Sequence, residues 1–274
     1  MRGAIRSFVV VAAAAAAIVA PTSAGGLAAS RHITLPPANG RFDYQIGGDY
    51  KPLASVKIVD RDRTAKPAAG FYNICYINAF QTQAYQDGWW KAHHPNLLLR
   101  NAAGKLIEDP GWPGEIILNT ATPRDRAALA KVEDRWLDGC KAKGFQGVEP
   151  DNLDSNTRSH GRLTRADDFA FATLLIRHAH SAGLAIAQKN SAEQSAKGRK
   201  LGFDFAIAEE CQVFTECSFY LKAYGAEVFE IEYTDNGRAA YKTACAKRGA
   251  RISIILRDRD VTPRGSKRYF YKAC

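Results

Sequence analysis

The 274 residues suit one large domain, and their net charge of +10 raises nucleic acid as a possible partner. The positive residues are scattered, however. The run from Lys57 to Lys66 is broken by Asp60 and Asp62, and no zinc-finger spacing, helix-turn-helix signal or aromatic interleaving accompanies it, so no nucleic-acid partner is expected. The charge is read instead as setting solubility and adhesion to an anionic surface.

In chain order, Arg2 and Arg6 precede an apolar run from Phe8 to Ala20 and then Pro21-Thr-Ser-Ala24. A positive start, an apolar stretch too short to span a bilayer comfortably and a small-residue cleavage site predict a secretory signal peptide over residues 1–24. No later stretch approaches membrane length, so a secreted, monomeric protein without stable membrane insertion is expected. Residues 25–40, ending Leu-Pro-Pro-Ala-Asn-Gly, read as a flexible N-terminal segment.

Residues 41–274 then form the folded domain. Short runs rich in β-branched and aromatic residues begin near 42, 56, 71, 145, 184, 203, 228 and 251 and predict eight strands. Between Asn78 and Pro110 the signals are mixed, with Trp89-Trp90 and His93-His94-Pro95, and a long structured loop is expected. Glu115-Ile-Ile-Leu118 reads as a further strand or a rim extension. Pro123 opens a helix with apolar residues at Ala127, Leu129, Ala130, Val132, Trp136 and Leu137. Thr164 caps a second, running to Gly183, and a third covers about Ala239 to Lys247. Eight strands with intervening helices in the second half predict an α/β fold, a single-domain (β/α)8 TIM barrel.

All six cysteines lie beyond residue 24, and an even number in an exported chain predicts disulfides. Cys211 with Cys217 is the easiest pair; Cys274 would staple the C-terminus and could join Cys245, which would leave Cys75 with Cys140, and sequence alone does not fix the connectivity. The spacing of 211 and 217 could also be half a metal site, but no histidine lies near it. His93, His94, His160, His178 and His180 offer no set of three ligands, so neither a metal nor another cofactor is expected.

The chemistry is expected at the carboxyl ends of the strands, where barrels carry their sites. Pro150 has no N–H, so the strand opening at Phe145 should stop at about Glu149 and leave Asp151 and Asp154 beyond it. Two strands later Glu209 and Glu210 follow Phe203-Asp-Phe-Ala-Ile-Ala208. Acids on two strand ends can face each other across one mouth, which is the arrangement glycosidic cleavage needs. If that strand continues, only one of Glu209 and Glu210 points inward. Lys189 could be a Schiff-base nucleophile, a sugar donor or a counter-ion to Asp151. A lysine-dependent lyase and a non-catalytic saccharide-binding barrel are therefore the rival readings. No Gly-x-Ser-x-Gly elbow supports serine chemistry.

Phe42-Asp-Tyr-Gln-Ile46, Cys75-Tyr-Ile-Asn78, Gly111-Trp-Pro-Gly-Glu115, Gly144 to Asp154, Gln188-Lys-Asn190, Phe203 to Cys211 with Cys217, and Glu230-Ile-Glu-Tyr233 together resemble the glycoside hydrolase family 114 barrel. The described activity of that family is endo-α-1,4-polygalactosaminidase. The resemblance implies a retaining site with Asp151 as nucleophile and Glu209 as acid/base, Glu210 being the alternative, and a polysaccharide or oligosaccharide substrate. The substrate-binding candidates are Asp43, Tyr44, Tyr76, Asp154, Lys189, Asn190 and Glu232. At Asn119 the resemblance leads one to expect Asp, and a lost carboxylate there would weaken a contact to an amino sugar.

Overall fold

Strand by strand, side chains alternate between two environments, and that alternation is what builds the molecule. The computed structural model describes Met1 and residues 33–274; the expected signal peptide lies outside the described residues. Seven of the strands run parallel to their predecessors: β1 (Phe42–Tyr44) is followed in order by β2 (Ile58–Asp62), β3 (Tyr72–Asn78), β4 (Gly147–Asp151), β5 (Ala185–Lys189), β6 (Phe205–Glu209), β7 (Val228–Tyr233) and β8 (Ser253–Arg257). On one face of this curved sheet Phe42, Ile58, Ile74, Ala187, Ile207, Ile231 and Ile255 meet in a cluster that fills the barrel. On the other, Ile77, Val148, Ile186, Ala206, Val228 and Ile254 pack against the helices. A period of two thus fixes which residues can reach the interior.

Six α-helices accompany the strands among the described residues: α1 (Asp87–His93), α2 (Pro123–Lys143), α3 (Arg165–Ala182), α4 (Ser195–Leu201), α5 (Cys217–Tyr224) and α6 (Ala239–Arg248). No helix stands between β1 and β2 or between β2 and β3. A ninth strand, β9 (Tyr271–Ala273), pairs antiparallel with β8. The fold is therefore a near-closed, TIM-barrel-like α/β domain rather than the regular (β/α)8 repeat expected. No β1–β8 ladder forms; side chains bridge the seam instead. Arg257 Nη1 donates to the carbonyl of Tyr44 at 2.6 Å, and the Tyr271 hydroxyl donates to that of Phe42 at 2.7 Å.

Two further expectations are corrected. β4 runs through Pro150 to Asp151 because it pairs with β3 as far as Asn78↔Asp151, whereas its pairing with β5 ends at Val148. Pro150 lies beyond the last β4–β5 pair, so its missing donor leaves no gap there. Residues 33–40, expected to be flexible, are anchored: the Tyr72 hydroxyl donates to the carbonyl of Thr34 at 2.8 Å, and Ile33 packs against the barrel cluster.

The expected long loop is the 79–122 excursion between β3 and α2, in which Gln81↔Ile117, Leu98↔Leu118 and Glu108↔Ile116 form isolated antiparallel bridges. It makes the Glu115 run a rim extension and carries that rim over the carboxyl ends of the strands. Thr164 forms a full capping box with Asp167 at the start of α3, and Gly183 closes it in the left-handed conformation. Disulfides join Cys75 to Cys140, Cys211 to Cys217 and Cys245 to Cys274. Among the described residues no helix is long and apolar enough to cross a membrane.

Candidate active site

Along β4, β5 and β6 the inward row changes from apolar to charged as it climbs. It ends in Glu149 and Asp151, in Lys189 and in Glu209. Each of these strands is followed by a residue with left-handed backbone: Asn152 at φ 66°, Asn190 at 48° and Glu210 at 59°. That turn takes the chain off the ladder at once, so the terminal side chains stay over the mouth. Asn tolerates the conformation; for Glu210 it costs about 1 kcal/mol or more. Glu210 is held there by Arg259, whose Nη1 and Nη2 donate to its carboxylate at 2.9 and 2.6 Å, and by Asn236.

Lys189 is the centre of the arrangement. Its side chain is 1% exposed, and its Nζ lies 2.8 Å from Glu149 Oε1, 3.3 Å from Asp151 Oδ1 and 3.3 Å from Glu209 Oε2. It also donates to the Tyr44 hydroxyl at 3.0 Å. Burial alone would push such an ammonium down, but Asp151, Glu149 and Glu209 outweigh it and hold the pKa well above the ordinary lysine value. An ammonium buried among three carboxylates is a poor imine-forming nucleophile, so the geometry favours the counter-ion role over the lyase reading.

Both oxygens of each mouth carboxylate are held. Tyr76 donates to Asp151 Oδ2 at 2.8 Å, and the Asn152 N–H to Oδ1 at 2.7 Å. Asn190 Nδ2 donates to Glu209 Oε2 at 2.9 Å, and the Tyr233 hydroxyl donates to Oε1. Burial, then the nearby carboxylates, raises the Tyr76 and Tyr233 phenols well above their usual range, so both remain donors at any working pH.

Asp151 and Glu209 open into a cavity of about 450 Å³, which Tyr76, Asp154 and Asn190 also line. The remaining candidates lie elsewhere. Glu210 faces the Arg259 clamp rather than the cavity. Tyr44 is buried one layer below, under Lys189. Asp43 points away from the barrel interior, where it accepts from Gln45 at 2.8 Å and from Tyr50 at 2.6 Å, with Arg257 3.5 Å away. Glu232 has the wrong parity: Tyr233 and Ile231 face inward, so Glu232 faces outward and accepts from the N–H of Gln212 at 3.0 Å. Asn119 is outside the cavity as well. It bonds Asp125 at the start of α2, so the absence of a carboxylate there removes nothing from this cavity.

Several cavity residues were not among the candidates. Tyr233 was legible from parity, since it ends its strand in step with Glu209. Trp112, 50% exposed on the rim, was flagged only by an aromatic set among glycines and proline. Glu115 is brought in by the long excursion. Its carboxyl accepts from Asn78 at 3.0 Å, yet burial and then Asp151 push its pKa up to about 7. Arg158 reaches Asp154 at 3.0 Å and stands 2.6 Å from Asp109, the latter contact off the N–H axis. No local signal marks it. Gly47 forms the opposite wall, where a Cβ would meet the carbonyls of Asp260 and Val261 at 2.6 Å.

A cavity at the carboxyl ends of barrel strands, holding two carboxylates around one cation, has the chemical parts for acid–base and nucleophilic work on a sugar. Residues 23–274 match the model of glycoside-hydrolase family GH114. The fold is similar to that of Aspergillus fumigatus Ega3, whose structure was solved with galactosamine, at a TM-score of 0.70 and 22% identity over 89% of this chain and 98% of that one. The glycoside hydrolase domain of PelA from Pseudomonas aeruginosa is similar at a TM-score of 0.56 and 17% identity, over 82% of this chain and 96% of that one. No curated protein matches the chain. Since the family model spans the whole of the barrel and its mouth, the chain belongs to glycoside-hydrolase family GH114 and is a carbohydrate-active hydrolase.

Proposed function

We propose that the protein is an exported, endo-acting glycosidase that cleaves internal α-1,4 bonds of a galactosamine-containing polysaccharide by double displacement. The observation that carries this reading is the shared ammonium: Asp151 Oδ1 and Glu209 Oε2 are each 3.3 Å from Lys189 Nζ, so these oxygens are separated by no more than twice that distance. Retaining sites hold their carboxyls about 5 to 5.5 Å apart, and inverting ones roughly 6.5 to 9.5 Å. Asp151, fixed by Tyr76, Asn152 and Lys189, is the nucleophile that attacks the anomeric carbon. Glu209 protonates the departing oxygen and then takes a proton from water. The Tyr233 hydroxyl can donate or accept, so it can hold Glu209 in either protonation state.

The charge contrast supports a cationic sugar. Six acids line the cavity, Asp109, Glu115, Asp151, Asp154, Glu209 and Asp260, against two guanidiniums, Arg158 and Arg259. The whole chain, by contrast, is at +10. A basic exterior repels a polycation at long range, but an acidic cleft focuses attraction where the amino sugar must sit. Trp112 gives the rim an exposed ring on which a sugar face can stack. Export is supported by the N-terminal pattern and by three disulfides.

The test is the product first released from partly deacetylated galactosaminogalactan, followed by proton NMR within minutes. An initial α-anomer is expected, together with loss of turnover but retained oligosaccharide binding in Asp151→Asn. An initial β-anomer, or an active Asp151→Asn protein, would overturn the double displacement.

A further inference from the structure

Beneath the mouth lies a second pair of acids that the hydrolysis does not touch. Asp60, on β2, and Glu149, on β4, are both fully buried inside the barrel. Glu149 Oε1 is well supplied, taking Lys189 at 2.8 Å and the Tyr44 hydroxyl at 3.1 Å. Its Oε2 finds no donor, and neither does either oxygen of Asp60. Two ionised carboxylates here would leave three orphaned acceptors and two like charges in a dry interior, which burial strongly disfavours. One proton between them removes one of the two charges and turns one Asp60 oxygen into a donor for Glu149 Oε2, because a carboxylic acid donates as well as accepts.

We propose that Asp60 and Glu149 share a single proton, carried on Asp60, and that this dyad fixes Glu149 as the anion that seats Lys189 between Asp151 and Glu209. Asp60 is thus a positioning residue for the hydrolysis, acting through Glu149 and Lys189. The inference rests on the reading of Asp151 and Glu209 as the reacting pair.

The groups facing the dyad make the assignment directional. Tyr44 comes from β1, Tyr76, in register with Glu149, from β3, Asp151 from the end of β4 and Lys189 from β5, with Glu209 of β6 on the far side of Lys189. Lys189 contacts Glu149 and not Asp60, so the negative charge stays on Glu149 and the proton goes to its partner. Burial and then Glu149 raise Asp60 well above the ordinary aspartate value, in accord with that placement. With its lower side closed by Glu149 and Tyr44, the lysine directs its charge upward at the two mouth carboxylates, 3.3 Å from each. Without the Asp60 donor, Glu149 would take a proton itself and release Lys189 to Asp151 and Glu209. That would strengthen their anionic forms and lower the pH at which Glu209 can serve as an acid.

Asp60→Asn preserves a donor to Glu149, and Asp60→Val removes it at similar volume. The pH profile of kcat/KM on partly deacetylated galactosaminogalactan should be unchanged in Asp60→Asn. In Asp60→Val kcat should fall about tenfold or more with little change in KM, and the alkaline limb should move to lower pH. Equal losses in both variants, or a wild-type profile in Asp60→Val, would overturn the proposal. Infrared difference spectroscopy of wild type against Asp60→Asn at pH 7 requires neither turnover nor the valine variant to fold. A protonated-carboxyl C=O stretch lost on substitution is expected, and its absence overturns the shared proton. Because that band is read without substrate, it separates failure of the dyad from failure of the double displacement.

Discussion

At the residue scale, the functional question turns on two adjacent glutamates that share a charge and differ in everything else. Glu209 ends the inward row of β6 and meets Lys189 at 3.3 Å, Asn190 at 2.9 Å and Tyr233. Glu210, with its left-handed backbone, is turned to Arg259, which also holds Asp235 at 2.8 Å and so ties the β6, β7 and β8 loops together. Glu209→Gln is therefore expected to lower kcat on an unactivated polysaccharide by about 10² to 10⁴, the usual contribution of a positioned acid. Glu210→Gln should mainly loosen the clamp, raising KM and lowering stability by about 1 to 3 kcal/mol through a weakened charge-assisted pair. Parallel steady-state kinetics and denaturant titrations on the two proteins check this. A catalytic loss in Glu210→Gln equal to that in Glu209→Gln would move the proton-transfer role one residue along. Parity is the same discriminator that sets Tyr233 in the cavity and Glu232 outside it. It needs the phase of each strand, which the alternation of Phe229, Ile231 and Tyr233 with Glu230 and Glu232 reveals in β7 and which the unbroken apolar run Phe205-Ala-Ile-Ala208 does not reveal in β6.

At the scale of elements, loops decide how wide the mouth is, and Gly47 shows how tightly. It carries the β1 loop against the carbonyls of Asp260 and Val261 in the β8 loop, with room for no Cβ. Gly47→Ala is expected to push these walls apart, costing about 1 to 3 kcal/mol of stability and raising KM more than it changes kcat. Gly88→Ala, with nothing within 4 Å of a Cβ, serves as the control in the same thermal-unfolding and kinetic measurements. The eight parallel strands were legible because each is a brief β-branched or aromatic run closed by a polar residue, and α2 and α3 because Pro123 opens the one and Thr164 caps the other ahead of long apolar stripes. Other elements were not. α1, α4 and α5 span seven, seven and eight residues, too short for periodicity to stand out, and α5 begins at a cysteine whose bridge sets its position. β9 is three residues long and owes its existence to pairing with β8 and to the Cys245–Cys274 bridge. The site was legible where acids end strands, as at Asp151 and Glu209. It was illegible where a side chain arrives on a long excursion, as Trp112 and Glu115 do, or from a short turn, as Arg158 does.

Across the whole molecule, burial sets several carboxyls against the ordinary direction of acid stability. Glu232 is almost wholly buried between the outer face of β7 and the 211–217 loop. Burial first, tempered by the Gln212 N–H and reinforced by Glu230, raises its pKa to about 8. Asp168 is raised to about 7 by burial despite donors from Thr120, Ser155 and Asn156, and Glu115 likewise to about 7. In the unfolded chain such groups titrate near about 4. Between that value and the folded one the native state binds more protons than the unfolded state, so their contribution to stability is fully present below the unfolded pKa and is lost as pH rises through 7 and 8. The midpoint of thermal unfolding should therefore fall from about pH 5 to about pH 9. Glu232→Gln keeps an acceptor for Gln212 but cannot ionise, so it should flatten the fall and gain on the wild type as the solution becomes alkaline. Asp168 and Glu115 leave it a residual slope of the same sign. Calorimetry of the two proteins over that pH range checks the sign directly. Parallel curves would mean that Glu232 titrates like an exposed carboxylate, and a midpoint that rises with pH would mean that ordinary surface acids outweigh the buried ones.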